Sequence, residues 1–530
     1  MAGPGPDSIK HAGDVPSVSS EEGIIRLAAL EGHDADIPSN AGVIHENGVN
    51  AAAVDVEKGP QPAELAGGDP NIVWWDGDND PENPLNWKSW KKWSNVYIVA
   101  VISFVTPLAS SCFAPAVPQV MQEFHSTNSE LAPLVVSVYV LGFAFGPLVI
   151  APLSEMYGRL RIYFTCNILF VVFTVACALS TNLNMLIGFR FIEGCVGSAP
   201  LSLAAGTIAD IIEPERRGST MSFLGMGPLL GPIVGPVAGG YLSQAKGWRW
   251  VFWLLAIIGS ASTLAGAAVM SETYAPAILE RKTRRLRKES GNAMLRSKLD
   301  TGLGARALFA RSIIRPMKLL FLSPITFALS VFTALGYGYL YLLFTTFADV
   351  YGGQYGFSTG TIGLTFLGMG IGSLVGLAAV GLVSDRVYQK KAAGGKKKPE
   401  YRLLPMVYFS PFMCVGLFWY GWSAQARVFW LVPIIGTSFF GFGLFATMAC
   451  VGTYLVDAFT VYAASAAAAN AVLRSVFGAM IPLFGQSMYT SLGIGWGNSL
   501  LAFVALAMCP IPLIFYRYGE TVRLRWSPKL

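Results

Sequence analysis

Twelve apolar runs leave this chain of 530 residues few folds to choose from. They fall at about 94–118, 131–152, 162–180, 185–211, 219–243 and 248–270, then 322–348, 357–383, 402–421, 428–452, 461–489 and 494–516. A helix needs roughly 20 apolar residues to cross a bilayer core. Lipid offers no partner to a bare N–H or C=O group, so each run must bond its own backbone as a helix. Two blocks of six flank a polar stretch from Ser271 to Leu320, and an even count puts both termini on one side. Only 13% of residues are charged, where an ordinary globular chain carries about a quarter. The expectation is an all-α membrane protein.

The surplus of basic residues, +6 net, points to orientation rather than to nucleic acid. Arg159, Arg161, Arg216, Arg217, Arg386, Lys390 and Lys391 fall in alternate connections. The positive-inside rule makes that side, and both termini, cytoplasmic. Residues 1–92 read as a disordered cytoplasmic tail, 93–270 as one six-helix bundle and 271–320 as a cytoplasmic loop with a basic amphipathic segment. Residues 321–516 form the second bundle, and 517–530 a cytoplasmic tail. Trp87, Trp90 and Trp93, interleaved with Lys88, Lys91 and Lys92, suit a membrane interface. Trp248, at the other end of the same bundle, reads as part of an aromatic belt.

The fifth run carries Gly-Pro at four-residue spacing, Gly227-Pro228, Gly231-Pro232 and Gly235-Pro236, closing on Gly239-Gly240. Interior prolines break soluble helices, but in lipid the glycine face becomes a groove for close helix approach. Several functions are set aside. There is no nucleotide-binding loop for an ATP-driven pump, and no metal spacing among seven Cys and four His. No nucleophile–base constellation suggests an enzyme. No cofactor is expected beyond a proton gradient as energy source.

The pattern Gly231-x-x-x-Gly235-Pro236-x-x-Gly239-Gly240 resembles the fifth-helix signature of proton-coupled antiporters in the major facilitator superfamily. Ala151-Pro152-Leu153-Ser154-Glu155-Met156-Tyr157-Gly158-Arg159-Leu160-Arg161 is similar to that superfamily's loop between helices two and three, with Ala151 for Gly and Glu155 for Asp. A degenerate copy, Gly381-Leu382-Val383-Ser384-Asp385-Arg386, recurs in the second half. Arg190-Phe191-Ile192-Glu193-Gly194-Cys195-Val196-Gly197 is similar to the family's fourth-helix pattern, with Glu193 for Gln. From Trp74 to the C-terminus the chain resembles the fungal drug:proton antiporters. The resemblance implies the major facilitator fold: twelve helices in two pseudo-symmetric bundles. It also implies a conformational ion network of Glu155, Arg159, Asp210, Asp385 and Arg386, and proton coupling at Arg190. Glu193 is three residues on, on the same helical face, and could pair with that arginine. The glycine groove is expected to face helices of the other half.

Ser110, Ser111, Tyr139, Tyr337, Tyr341, Phe344, Asn470 and Gln486 are candidates for a central cavity, which would suit amphipathic apolar or cationic molecules. The expected function is proton-driven export of drugs, toxins or secondary metabolites by a monomer in contact with lipid. The plasma membrane is the expected location, with the vacuolar membrane second. Two alternatives stay open: a narrow polyamine or organic-acid exporter, and a receptor or scaffold that does not transport.

Overall fold

The computed structural model describes residues 71–126, 131–300, 302, 305–392 and 398–526. The tail before Asn71 and the last four residues lie outside that description. Eleven apolar helical stretches long enough to cross a membrane are present among the described residues. The first six are Ser89–Glu123, Leu131–Tyr157, Arg159–Ala178, Leu183–Ile211, Arg216–Lys246 and Arg249–Val269. The next four are Pro324–Tyr355, Thr359–Lys391, Pro399–Gln425 and Leu431–Ala458. The last, Ala463–Arg525, has 63 residues, too long for a single crossing.

That stretch reverses at Gly493, whose φ of 76° is open to glycine and strained for other residues. Across the turn Tyr489 and Asn498 bond side chain to side chain. Gln425 at the end of the ninth span accepts from the Gly495 N–H at 2.6 Å, capping the new helix. The chain therefore crosses twelve times, the fold class that the apolar runs imply. We number the spans one to twelve and call the side holding residues 271–320 the linker face.

The linker face is more ordered than its polar sequence suggests. Asn71 to Trp87, read from the sequence as the end of a disordered tail, is folded. Strand β1 (Ile72–Val73) pairs in parallel with β2 (Arg296–Ser297) in the linker. Asp80 accepts from the N–H groups of Asp76 and Glu82, both at 2.8 Å, and from Lys282 Nζ at 3.3 Å. Lys282 belongs to the basic linker helix Ala275–Ser290, which turns Leu279, Lys282 and Thr283 inward. Its buried face thus lies on protein. Trp87 is buried with Val96, Val99, Tyr163 and Leu203, whereas Trp90 is 68% exposed. Trp248 departs from the belt reading: it is buried, and its indole N–H donates to Glu123 at 2.6 Å.

Burial pushes the Asp80 carboxyl up, but the two N–H donors and the Lys282 ammonium outweigh it and hold it below the usual range. A lowered folded value means that the stabilisation is complete above the ordinary carboxylate pKa, and is lost as pH falls through the lowered one. The strap should keep its protease protection at pH 5 and loosen only below about pH 4. Asp80→Asn should raise tryptic cleavage of the linker helix Ala275–Ser290, which carries the Lys and Arg sites, roughly tenfold at pH 7. Limited proteolysis of wild type and variant, with pepsin at the acid end, reads both effects.

Candidate functional site: a buried ion pair, a seam and two latches

The fourth span begins at Asn182, whose side chain caps the helix by accepting from Met185 N. Two turns in it places Arg190, fully buried together with Glu193. The guanidinium Nη1 donates to Glu193 Oε2 and to the Ala109 carbonyl, both at 3.1 Å. Longer contacts of 3.4 Å reach the Val135 and Ser110 carbonyls. The ring of Tyr139 lies 4.4 Å from the guanidinium carbon, with Phe113 and Phe252 just beyond it. Glu193 accepts from the Thr174 hydroxyl at 2.8 Å and from the Cys177 thiol at 3.7 Å. Five spans of the first bundle thus enclose one ion pair. Such a pair survives in a low-dielectric interior because its remaining donors and acceptors are met.

Only Ser110 connects this nest to the second bundle among these contacts. Its carbonyl receives Arg190, while its hydroxyl lies 2.9 Å from the Tyr341 hydroxyl of the seventh span. Tyr341 continues an aromatic column, with Tyr337 at 5.1 Å and Phe344 at 5.4 Å between ring centres. Asn470 joins the column through Thr333, whose hydroxyl donates to Asn470 Oδ1 at 2.6 Å. Three residues read as cavity candidates lie elsewhere. Ser111 bonds its own helix and packs on Gly235. Tyr139 sits against Arg190 and donates to the Thr106 carbonyl. Gln486 lines a separate cavity of about 400 Å³ at the face opposite the linker, with Asp349, Gln425 and Arg427.

The glycine groove is corrected in its partner. Gly227, Gly231, Gly235 and Gly239 face the first span, in the same bundle, not the other half. A methyl on Gly231 would stand 2.7 Å from Leu108 N, and one on Gly239 would overlap the Cys112 carbonyl. Span one runs beside span five for its length, so the four-residue stripe meets the nearest neighbour in its own bundle. The other half meets a different face of span five. A methyl on Gly240 would lie 2.7 Å from the Thr359 carbonyl, Gly363 abuts Pro236, and Gly370 abuts Ile233. Those contacts occupy the part of the span away from the linker, and Gly360 N donating to Gln244 at 2.8 Å ties its end.

On the linker face, two latches are built alike. In the first bundle Arg159 Nε donates to Asp210 at 2.7 Å and Nη1 reaches the Ser154 hydroxyl at 3.3 Å, with Tyr274 under the guanidinium. Glu155 is half-buried beside it. In the second bundle Arg402 Nε donates to Asp457 at 2.9 Å, and Nη1 reaches Ser384 at 3.3 Å and also Asp385, with Tyr388 under the guanidinium. Ser154 and Ser384 occupy matching places in the repeated motif, so the two halves share one device. Arg386, the arginine expected there, is exposed and in no ion pair among the described residues. It continues the helix of Asp385 and points away. The arginine that fills the place comes from beyond the loop, which neighbouring-residue motifs do not reveal. Arg402→Gln and Arg159→Gln should therefore each impair transport and lower the melting temperature. Arg386→Gln should stay within about 0.5 kcal/mol of wild type, read by thermal unfolding of the purified protein.

Glu272 completes the first latch from the linker. It accepts from Arg159 N at 2.9 Å and Leu160 N at 3.3 Å, and from Thr273 N and Tyr274 N, each at 3.1 Å. One carboxylate thus caps span three and also fixes the turn that leads into the linker helix. Nothing local in the sequence marks Glu272 as a cap; that role depends on a fold that brings residues 159 and 272 together.

Two six-helix bundles, joined by a clasped linker and meeting along glycine seams, define a membrane transporter rather than an enzyme. The chain belongs to the Major Facilitator Superfamily, whose family model matches residues 99–482. It is 57% identical over 489 residues to the MFS-type transporter atr4 of Stereocaulon alpinum, covering 92% of this chain and 87% of that one. It is 49% identical over 526 residues to the efflux pump radE of Floropilus chiversii, covering 99% and 94%. Among solved structures it resembles the D-xylose-proton symporter, with a TM-score of 0.59 at 14% identity, covering 79% of this chain and 98% of that one. At that identity the likeness speaks to the fold.

Proposed function

We propose that this protein is a proton-coupled exporter of small organic molecules, drugs or toxic secondary metabolites among them. It works by alternating access in a cell-boundary membrane, with both termini and the linker in the cytoplasm. The observation that carries the reading is the sealed Arg190–Glu193 pair with its one bond across the halves, Ser110 to Tyr341. An ionisable pair inside a membrane bundle is costly and marks an ion or proton path. Here it is placed so that a change in its charge would pull on Ala109 and Ser110, and through Ser110 on the second bundle. The name of the efflux pump relative supports the outward direction. Lys and Arg crowd the linker face, which supports a cytoplasmic linker. One proton moving inward supplies about 2.3 kcal/mol per 100 mV, enough for a tenfold substrate gradient, about 1.4 kcal/mol.

A polyamine exporter would need a carboxylate free to bind a cation. Glu193 offers none, since Arg190, Thr174 and Cys177 already hold it. A scaffold that does not transport could keep the pair only as a structural brace, and cells expressing it would show no export for an uncoupler to abolish. The protein is taken to work as a monomer at the plasma membrane, drawing on no cofactor. The test is accumulation of a fluorescent dye and an azole in cells expressing the protein, with and without an uncoupler. Lower accumulation that the uncoupler abolishes supports the exporter; accumulation unchanged in every arm overturns it.

A further inference from the structure

Two arginines lie deep in the spans, and among the described residues only Arg190 is paired. Arg474 stands eleven residues into the helix Ala463–Met480, about 17 Å along its axis and near the middle of a ~30 Å hydrocarbon core. It makes no ion pair or hydrogen bond among the described residues, and its Nε is buried without a partner. The ring of Tyr337 lies 4.9 Å from its guanidinium carbon. The side chain is half-buried, so the fork is neither matched by protein nor wholly enclosed.

The surroundings suit a ligand. Asn470, Arg474 and Gly478 recur at four-residue spacing on one face of span eleven. Thr333, Tyr337 and Tyr341 recur likewise on span seven, and the two faces meet. Thr333 bonds Asn470, Tyr337 lies beside Arg474, and a methyl on Gly478 would come within 2.9 Å of the Tyr337 ring. The same methyl would stand 3.2 Å from Val140 of span two, so this face lies at the seam between the bundles. The Thr333 bond occupies the Asn470 oxygen and leaves its amide nitrogen as a donor. An unmatched guanidinium in a low-dielectric seam calls for an anion, and the planar fork fits a carboxylate with two parallel bonds. The aromatic column of Tyr337, Tyr341 and Phe344 would cover an apolar body attached to it.

We propose that Arg474 is the anion-receiving residue of the transport site, and that the molecules carried are organic acids with an aromatic or apolar body. This rests on the exporter reading for its meaning, but its test does not need transport. Purified full-length protein is titrated with dansylglycine, a carboxylate, and dansylglycinamide, its neutral counterpart, following dansyl fluorescence and thermal unfolding. Wild type should bind the acid about tenfold more tightly than the amide. Arg474→Gln should bring the two within about twofold, and Arg474→Lys should keep part of the preference as a point charge without the fork. Equal binding of acid and amide by wild type overturns the proposal, as does a preference that survives in Arg474→Gln. If Arg474→Gln does not fold, the wild-type preference and its reduction in Arg474→Lys decide. Should the acid bind as expected while uncoupler-sensitive export is missing, the exporter reading fails and the anion site stands.

Discussion

Glu193→Gln should give a protein that reaches the membrane at near wild-type level yet no longer exports in an uncoupler-sensitive way. The amide can offer its oxygen to Arg190 while its nitrogen donates to the Thr174 oxygen, whose own proton goes to the Phe170 carbonyl, so the nest keeps its shape. What is lost is a group that can change charge. Arg190→Ala should be harsher. It removes the guanidinium from three carbonyls and leaves a buried carboxylate held only by Thr174 and Cys177. Breaking one side of a buried pair costs about 3–5 kcal/mol, so folded protein should fall several-fold and export should vanish. Size-exclusion profiles of the tagged protein separate the two effects, and dye efflux across an imposed pH gradient reads coupling. Proton-dependent export by Glu193→Gln would remove Glu193 from the mechanism and leave the pair a structural one.

Gly239→Val should be the most damaging change outside that nest. Any side chain there meets the carbonyl carbon and oxygen of Cys112, backbone atoms that cannot swing aside. Spans one and five would have to separate, and overpacking of this kind costs about 1–3 kcal/mol or more. Separation would also shift Ser110 and Ser111, which lie just before Cys112 and face Tyr341 and Gly231. Gly225→Val is the control, because nothing stands within 4 Å of a side chain at that position. Expected is a loss of folded Gly239→Val protein or of its export, with Gly225→Val close to wild type in both. Normal export by Gly239→Val would show that the contact with span one is not required.

Much of this was open to reading along the chain, for a physical reason. Length and apolarity are forced on a helix by lipid, so the spans and the fold class could be read from composition and run length. The buried pair was legible too, because three-residue spacing puts Arg190 and Glu193 on one helical face. What the chain did not disclose depends on which surfaces meet. The glycine stripe announces a close partner but not its identity, and that partner is span one. Arg386 falls three residues short of the place that corresponds to Arg159, which Gln389 holds, while Arg402 reaches the same kind of partners from across the loop. Tyr139 and Ser111 carry polar groups that looked fit for a cavity, yet both are used by neighbouring helices. Arg474, read along the chain, is simply one basic residue within an apolar run. That it has no ion pair or hydrogen bond among the described residues emerges only once its neighbours are in place.

The short parallel pairing of Ile72–Val73 with Arg296–Ser297 has a bearing on how the gene could be divided. It brings the chain before span one back to the chain after span six, so the first six helices are bracketed by one clasp. Lys282 on Asp80 and Glu272 on the start of span three reinforce the clasp from within the same segment. A break between Asp300 and Ala305 would leave every one of these bonds on a single piece. The two halves could then be made as separate polypeptides and left to find each other in the membrane. The joint between them would be the one part of the linker that the clasp does not use.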